Sequence, residues 1–172
     1  MEKIQAQLIG NTISTNSVLA YTLNEKSQFG ERIGEKIQYS LAEAFYLLEI
    51  NKLEILSNKK FLSKNEVLEK IQKIDKKFSI KYAVFRDLRN KGYILKTALK
   101  FGADFRIYEK GKKPGKAHSR WILYADQETN KIKWQDFAAK TRIANSTKKN
   151  LLIAIVDDEE KVTYYEIKWL KP

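Results

Sequence analysis

Short apolar groups alternate with polar punctuation over the first forty residues. IQAQLIG and SVLAYTL are set off by Gly, Asn and Ser, a pattern that predicts small strands and turns. The period then lengthens. In SLAEAFYLLEI, Leu41, Phe45, Leu47 and Leu48 form an apolar stripe, and Ser40 with Glu43 has the spacing of a capping box. A second such pair, Ser63 and Glu66, opens SKNEVLEKIQKIDKKF, where Val67, Ile71, Ile74 and Phe78 recur at helical spacing.

KKFSIK, residues 76–81, marks a boundary without the Gly or Pro of a flexible linker. KYAVFRDLRNKG then predicts a helix that Gly92 closes in the left-handed conformation. YILKTALKFGADFRIY has strand-like composition with a bend at Gly102, and SRWILYAD reads as a further strand. WQDFAAKTRIANSTKK predicts a helix, LLIAIV a buried strand, DDEEK a tight acidic turn, and VTYYEIKWL the return of a hairpin. The expectation is a small N-terminal α+β domain over residues 1–77 and a C-terminal α/β domain over 78–172 with a mixed central sheet. No internal repeat or low-complexity tract is present.

Charge changes this picture. The chain of 172 residues carries a formal net charge of +12, which points to a polyanionic partner. Residues 1–77 hold 12 Lys/Arg against 10 Asp/Glu, while residues 78–172 hold 21 against 11. A general lysine bias, genomic or thermophilic, raises the total but does not explain this asymmetry. Phosphate binding therefore belongs mostly to the second half.

Several chemistries are disfavoured. Without cysteine there are no disulfides or thiolate metal sites, and one histidine is a poor basis for zinc. No G-x-x-x-x-G-K-[ST] loop exists. Asp157, Asp158, Glu159 and Glu160 are the only dense carboxylates, and in a hairpin turn they point to different sides, as a solvated turn or an acidic knob would. No cofactor and no metal are expected. No apolar run approaches the roughly 18 residues of a membrane span, and MEKIQAQLIG lacks the apolar core of a signal peptide. These features lead to the expectation of a cytoplasmic protein with no membrane partner.

The single histidine, His118, sits in YEKGKKPGKAHS (108–119), the most basic loop of the chain. RNA cleavage without metal needs a base for the 2′-hydroxyl, an acid for the departing 5′-oxygen and a cation for the crowded phosphorane. An imidazole can act as acid or base near neutrality, and lysine is a natural phosphate-facing charge. A tyrosine hydroxyl is a poor base unless neighbouring cations ease its ionisation. Lys110, Lys112, Lys113 and Lys116 supply cations beside Tyr108, and they also suit the RNA backbone. Chemistry alone does not decide which of Tyr108 and His118 gives the proton and which takes it.

The second half resembles the catalytic subunit of the archaeal tRNA-splicing endonuclease family. The resemblance runs through KYAVFRDLRNKGYILKTALKFGADFRIYEKG, the His-Ser pair at 118–119, RIANSTKKNLLIAIVD and VTYYEIKWLKP, and more loosely through SLAEAFYLLEINKLEI. It implies a catalytic triad at Tyr108, His118 and Lys149, with Lys149 preferred to its RNA-binding neighbour Lys148 because the family's lysine stands two residues before the leucine, here Leu151. It implies metal-independent cleavage of precursor tRNA at both intron boundaries, within a bulge–helix–bulge element, leaving 2′,3′-cyclic phosphate and 5′-hydroxyl ends. Tyr108 would be the base, His118 the acid, and Lys149 the stabiliser of the transition state.

The same resemblance implies that Arg142 stacks on a bulge nucleotide. Arg142 lies seven residues before Lys149, on nearly the same face if one helix carries both. Tyr164 and Trp169 are both candidates for the second stacking residue. The acidic loop of Asp157, Asp158, Glu159 and Glu160 would dock into a neighbouring subunit, although Lys161 interrupts its charge. Tyr165, Ile167 and Trp169, at period two, would serve the core or a subunit interface by edge-strand addition. The implied assembly has four subunits, either a homotetramer or a heterotetramer with a non-catalytic paralogue. Two competing readings are a non-catalytic RNA-binding or scaffold subunit and, more remotely, a metal-dependent DNA nuclease, which would need clustered carboxylates near the strands.

Overall fold

The computed structural model describes residues 2–172, and the chain divides into two compact units, Met1–Ser79 and Ile80–Pro172. The fold is α+β. In the first unit the order is β1 (Ile4–Ile9), β2 (Thr12–Thr15), α1 (Val18–Ser27), β3 (Glu31–Ile33), β4 (Lys36–Tyr39), α2 (Leu41–Glu49), β5 (Leu53–Ser57), β6 (Lys60–Phe61) and α3 (Lys64–Ile74). The sheet order is β3-β4-β2-β1-β5-β6, antiparallel except for the parallel β1–β5 pair.

Both capping boxes form. Ser40 and Ser63 accept from the backbone N–H groups of Glu43 and Glu66, whose carboxylates accept from the serine N–H groups in return. Glu43 is buried and fully used, because it also accepts from Gly30 N–H at 3.0 Å. Two expectations for this unit fail. SVLAYTL is not a strand but lies in helix α1: Ser17 precedes it without a side-chain cap bond, and Ala20 is its one buried residue, so no amphipathic stripe announces the helix. Phe78 does not extend α3. Asp75 takes an extended conformation and its carboxylate accepts from Lys77 N–H, which ends α3 and lets Phe78 open the next helix.

That helix is α4 (Phe78–Asn90). It is followed by β7 (Ile94–Ala98), a 3-10 turn (Leu99–Phe101), β8 (Ala103–Tyr108), β9 (Trp121–Gln127), α5 (Trp134–Ser146), β10 (Asn150–Val156) and β11 (Val162–Ile167). The order in the second sheet is β11-β10-β9-β8-β7. YILKTALKFGADFRIY is therefore two antiparallel strands rather than one bent strand. Ile94 faces Tyr108 and Thr97 faces Phe105, and Gly102, at φ +64°, ends the intervening turn. β9 and β10 are parallel and need a crossover, which α5 supplies. On one face of the sheet, Ile122, Tyr124 and Leu151 pack with Ala144 of α5. On the other, Phe105 lies 5.8 Å from Phe85 of α4, ring centre to ring centre.

Three helices end in the same way. After α2, α4 and α5 come Asn51, Gly92 and Lys148, all at positive φ. Each donates its N–H three residues back, and the next residue donates five back: Lys52 to Leu47, Tyr93 to Leu88, Lys149 to Ala144. This double closure is the Schellman motif. Glycine suits it, asparagine tolerates it, and a lysine at φ +56° carries steric cost.

Candidate active site

Register brings the three predicted catalytic residues to one end of the second sheet. Trp121, the first residue of β9, stands opposite Ile107 of β8 and opposite Asn150 of β10. One step outward, Arg120 N–H donates to the Ile107 carbonyl and Asn150 N–H donates to the Arg120 carbonyl, both at 2.9 Å. Tyr108, the His118–Ser119 pair and Lys149 are the residues immediately beyond these bonds. They line a single cavity of about 410 Å³.

Each residue is held by local structure. Tyr108 closes β8 and is buried. His118 follows a loop turned at Gly111 and Gly115, with φ of +79° and +80°, and its side chain is exposed. Lys149 is aimed by the Schellman closure of α5 and donates from Nζ to the Ser119 carbonyl at 3.0 Å. Burial first, and then the positive charges of Arg106 and Lys100, hold its ammonium below the ordinary lysine pKa.

The cavity is rich in cations. Lys100, Arg106, Lys116 and Lys149 line it, and no carboxylate does. Of the predicted loop lysines, only Lys116 reaches it. Lys110 instead lies 5.1 Å over the Tyr93 ring, Lys112 is exposed and Lys113 is half-buried. Lys148 is exposed, outside the cavity lining. Lys100 and Arg106 were missed in sequence. Arg106 was within reach, since period two from Tyr108 puts it on the same strand face, but Lys100 enters through a 3-10 turn with no periodic signal.

The expected shared helical face of Arg142 and Lys149 does not exist. α5 ends at Ser146, and Lys149 lies beyond the left-handed Lys148. Arg142 is exposed, with its Nε–H donating to the Ala138 carbonyl at 3.3 Å. Tyr164 is committed inward: it donates to the Asp87 carboxylate at 2.6 Å, and burial together with that bond raises its pKa. Trp169 is 59% exposed and lies past the end of β11, beside Lys149 in a smaller cavity of about 190 Å³. The period-two run ends before it. Tyr165 is exposed, while Ile167 packs on the core.

The acidic turn is closed by one of its own members. Asp157 accepts at its carboxylate from the N–H groups of Glu159 and Lys161, each at 2.9 Å. Glu160 pairs with Arg86 at 2.7 Å, and Glu159 pairs with Lys161 at 2.5 Å. Among the described residues no group of His, Cys, Asp and Glu converges as a metal site would. No described helix is long and apolar enough to cross a membrane.

A hydroxyl, an imidazole and an ammonium around a carboxylate-free basic cavity define a domain able to bind an anion and move protons beside it. Comparison with known proteins is specific. Residues 4–68 match the tRNA intron endonuclease N-terminal domain, and residues 78–164 match the tRNA intron endonuclease catalytic C-terminal domain. The chain belongs to the tRNA intron endonuclease family. It is 37% identical over 171 residues to the tRNA-splicing endonuclease of Methanothermobacter thermautotrophicus, covering 99% of both chains. It is 39% identical to that of Thermococcus onnurineus, covering 99% of this chain and 98% of the relative. The Nanoarchaeum equitans enzyme is 43% identical over 84% of this chain and 97% of its own.

Proposed function

We propose that this chain cleaves precursor tRNA at both intron boundaries, within a bulge–helix–bulge element, without a metal. The observation that supports this most strongly is the meeting of Tyr108, His118 and Lys149 around one cavity. Tyr108 takes the proton of the 2′-hydroxyl next to the scissile phosphate. The 2′-oxygen forms a new bond to phosphorus as the bond from phosphorus to the 5′-oxygen breaks. His118 gives that oxygen its proton, and Lys149 faces the charge that gathers on the phosphorane. The products are a 2′,3′-cyclic phosphate and a 5′-hydroxyl, so atoms and protons balance with no co-reactant.

Arg142 and Trp169, both exposed, are proposed as base-stacking contacts to the unpaired bulge nucleotides. The turn of Asp157, Asp158, Glu159 and Glu160, with edge strand β11, is proposed to join copies of this chain, or this chain and a paralogue, into a four-subunit assembly. His118→Ala tests the central role. RNA binding should persist while cleavage falls by about 10²–10⁴-fold, the usual contribution of a positioned acid or base. Cleavage at the parent rate would contradict the assignment.

A further inference from the structure

The turn between β7 and β8 places a lysine in the cavity. Gly102 N–H donates to the Leu99 carbonyl at 2.9 Å, which closes the 3-10 turn of Leu99–Phe101. Phe101 packs against the cluster that holds Ala103, Ile122, Ala144 and Leu151. The ammonium of its neighbour Lys100 lies 5.1 Å from the centre of the Phe101 ring, and both residues line the cavity of Tyr108, His118 and Lys149. A lysine that served only solubility would extend into water. This one is drawn over a ring that the core anchors.

The two ends of β8 fix where this cation enters. The turn adjoins Ala103, the first residue of the strand, whereas Tyr108 is the last. The steps from 103 to 108 span about 17 Å of backbone. The cavity is therefore furnished from both ends of one strand: Tyr108, with His118 and Lys149, at one, and Lys100 at the other. An RNA strand lying along it would present one phosphate to the trio and the adjoining phosphate to Lys100. The two ammonium groups still feel each other. Burial first, and then the charges of Arg106 and Lys100, weaken the hold of Lys149 on its proton. Like charges gathered in this way destabilise the free protein, and phosphates bound among them relieve the repulsion.

We propose that Lys100 is a substrate-binding residue, whose ammonium holds the phosphate next to the scissile one and so sets the RNA strand in register with the cut. This rests on the reading of the cavity as the cleavage site. The contact itself can be measured without cleavage, on a precursor tRNA carrying 2′-deoxyribose before each scissile phosphate, which cannot form the cyclic phosphate. Its affinity for the intact protein is followed over a range of salt concentrations. Methylphosphonate, which removes the charge of one linkage, is then introduced at the scissile linkage or at either neighbour.

Lys100→Gln should bind this RNA about tenfold more weakly than the parent, the scale of losing one hydrogen bond to a charged group. The slope of log affinity against log salt should fall by about one, as for loss of a single phosphate contact. Lys100→Arg, which keeps the charge, should keep most of the affinity and the parent slope. Methylphosphonate at one neighbouring linkage should weaken the parent but add little to Lys100→Gln. On the natural ribose substrate at saturation, Lys100→Gln should lose far less rate than Lys149→Ala. Parent-like affinity and slope in Lys100→Gln overturn the proposal, as does a methylphosphonate effect shared with Lys100 at the scissile linkage alone. If binding depends on Lys100 but the parent cuts no ribose precursor, the cleavage reading fails and the phosphate contact stands. If the parent cuts and Lys100→Gln binds equally well, the cleavage reading stands and the role of Lys100 falls.

Discussion

Lys149 donates a 3.0 Å hydrogen bond from its ammonium to the carbonyl oxygen of Ser119, thirty positions away in sequence and next to His118. The bond ties the start of β10 to the end of the basic loop, so the ammonium is anchored to the backbone of the residue that follows His118. Lys149→Ala should therefore lower single-turnover cleavage by about 10²–10³-fold, the range for loss of a preorganised charge contact. Lys149→Arg should recover little of it, because a longer, forked group cannot occupy the same point. Parent-like cleavage by Lys149→Ala would remove Lys149 from the mechanism.

The depressed Lys149 pKa has a consequence for pH dependence. The ammonium loses its proton at a lower pH than an ordinary lysine, so cleavage should decline on the alkaline side before the usual lysine range is reached. Burial is the main cause and the charges of Arg106 and Lys100 are secondary. Lys100→Gln should accordingly move the alkaline limb upward by a modest amount. The same shift makes stability rise with pH between the folded pKa and the ordinary value, because there the unfolded chain binds more protons. A pH–rate profile with Lys100→Gln as comparison checks this, and a downward move would contradict the assigned cause.

Lys148 offers a stability test separate from chemistry. It holds φ +56° at the Schellman position where α4 uses Gly92 at +89°. Lys148→Gly should raise stability by about 0.5–1 kcal/mol by relieving a left-handed lysine, and Gly92→Ala should lower it by about 1 kcal/mol. Denaturant midpoints at unchanged slope would report both.

Leu151 is fully buried, two residues after Lys149, in the cluster beneath the cavity. Leu151→Ala should cost about 2–5 kcal/mol, with cleavage per folded molecule falling less than in Lys149→Ala. Equilibrium unfolding and active-site-normalised rates separate the two effects.

Within the acidic turn, Asp157 and Asp158 should differ. Asp157→Ala removes the acceptor for two backbone N–H groups and should destabilise the turn by about 1 kcal/mol. Asp158→Lys leaves the turn bonds of Asp157 and the ion pairs of Glu159 and Glu160 in place and should act on assembly. Sedimentation velocity should show a smaller species for Asp158→Lys at full stability; an unchanged assembly would exclude this turn as the docking element.

Local rules were the most legible part of the fold. Ser40–Glu43, Ser63–Glu66 and Gly92 each state a backbone requirement within a few residues, and each behaves as its pattern implies. The helix at Val18–Ser27 was not legible, because its cap is silent and only Ala20 is buried. The reversal between β7 and β8 was hidden because a 3-10 turn leaves apolar composition unbroken through Leu99 and Phe101. At the site, Tyr108, His118 and Lys149 could be named from resemblance and chemistry. Their convergence depends on the registers of β8, β9 and β10, which are long-range facts. Arg106 escaped because an arginine inside a strand looks like an exposed edge residue until its face is known. The shared face of Arg142 and Lys149 depended on one helix carrying both, and the helix ends at Ser146, where a lysine rather than a glycine takes the left-handed position.

The most direct measurement of the central claim is the chemistry of the cut ends. An intron-containing precursor tRNA is incubated with the protein in excess EDTA, and the product termini are identified. Cleavage at both boundaries with 2′,3′-cyclic phosphate and 5′-hydroxyl ends is expected. Cleavage that EDTA abolishes, or products bearing 5′-phosphate, would contradict the account.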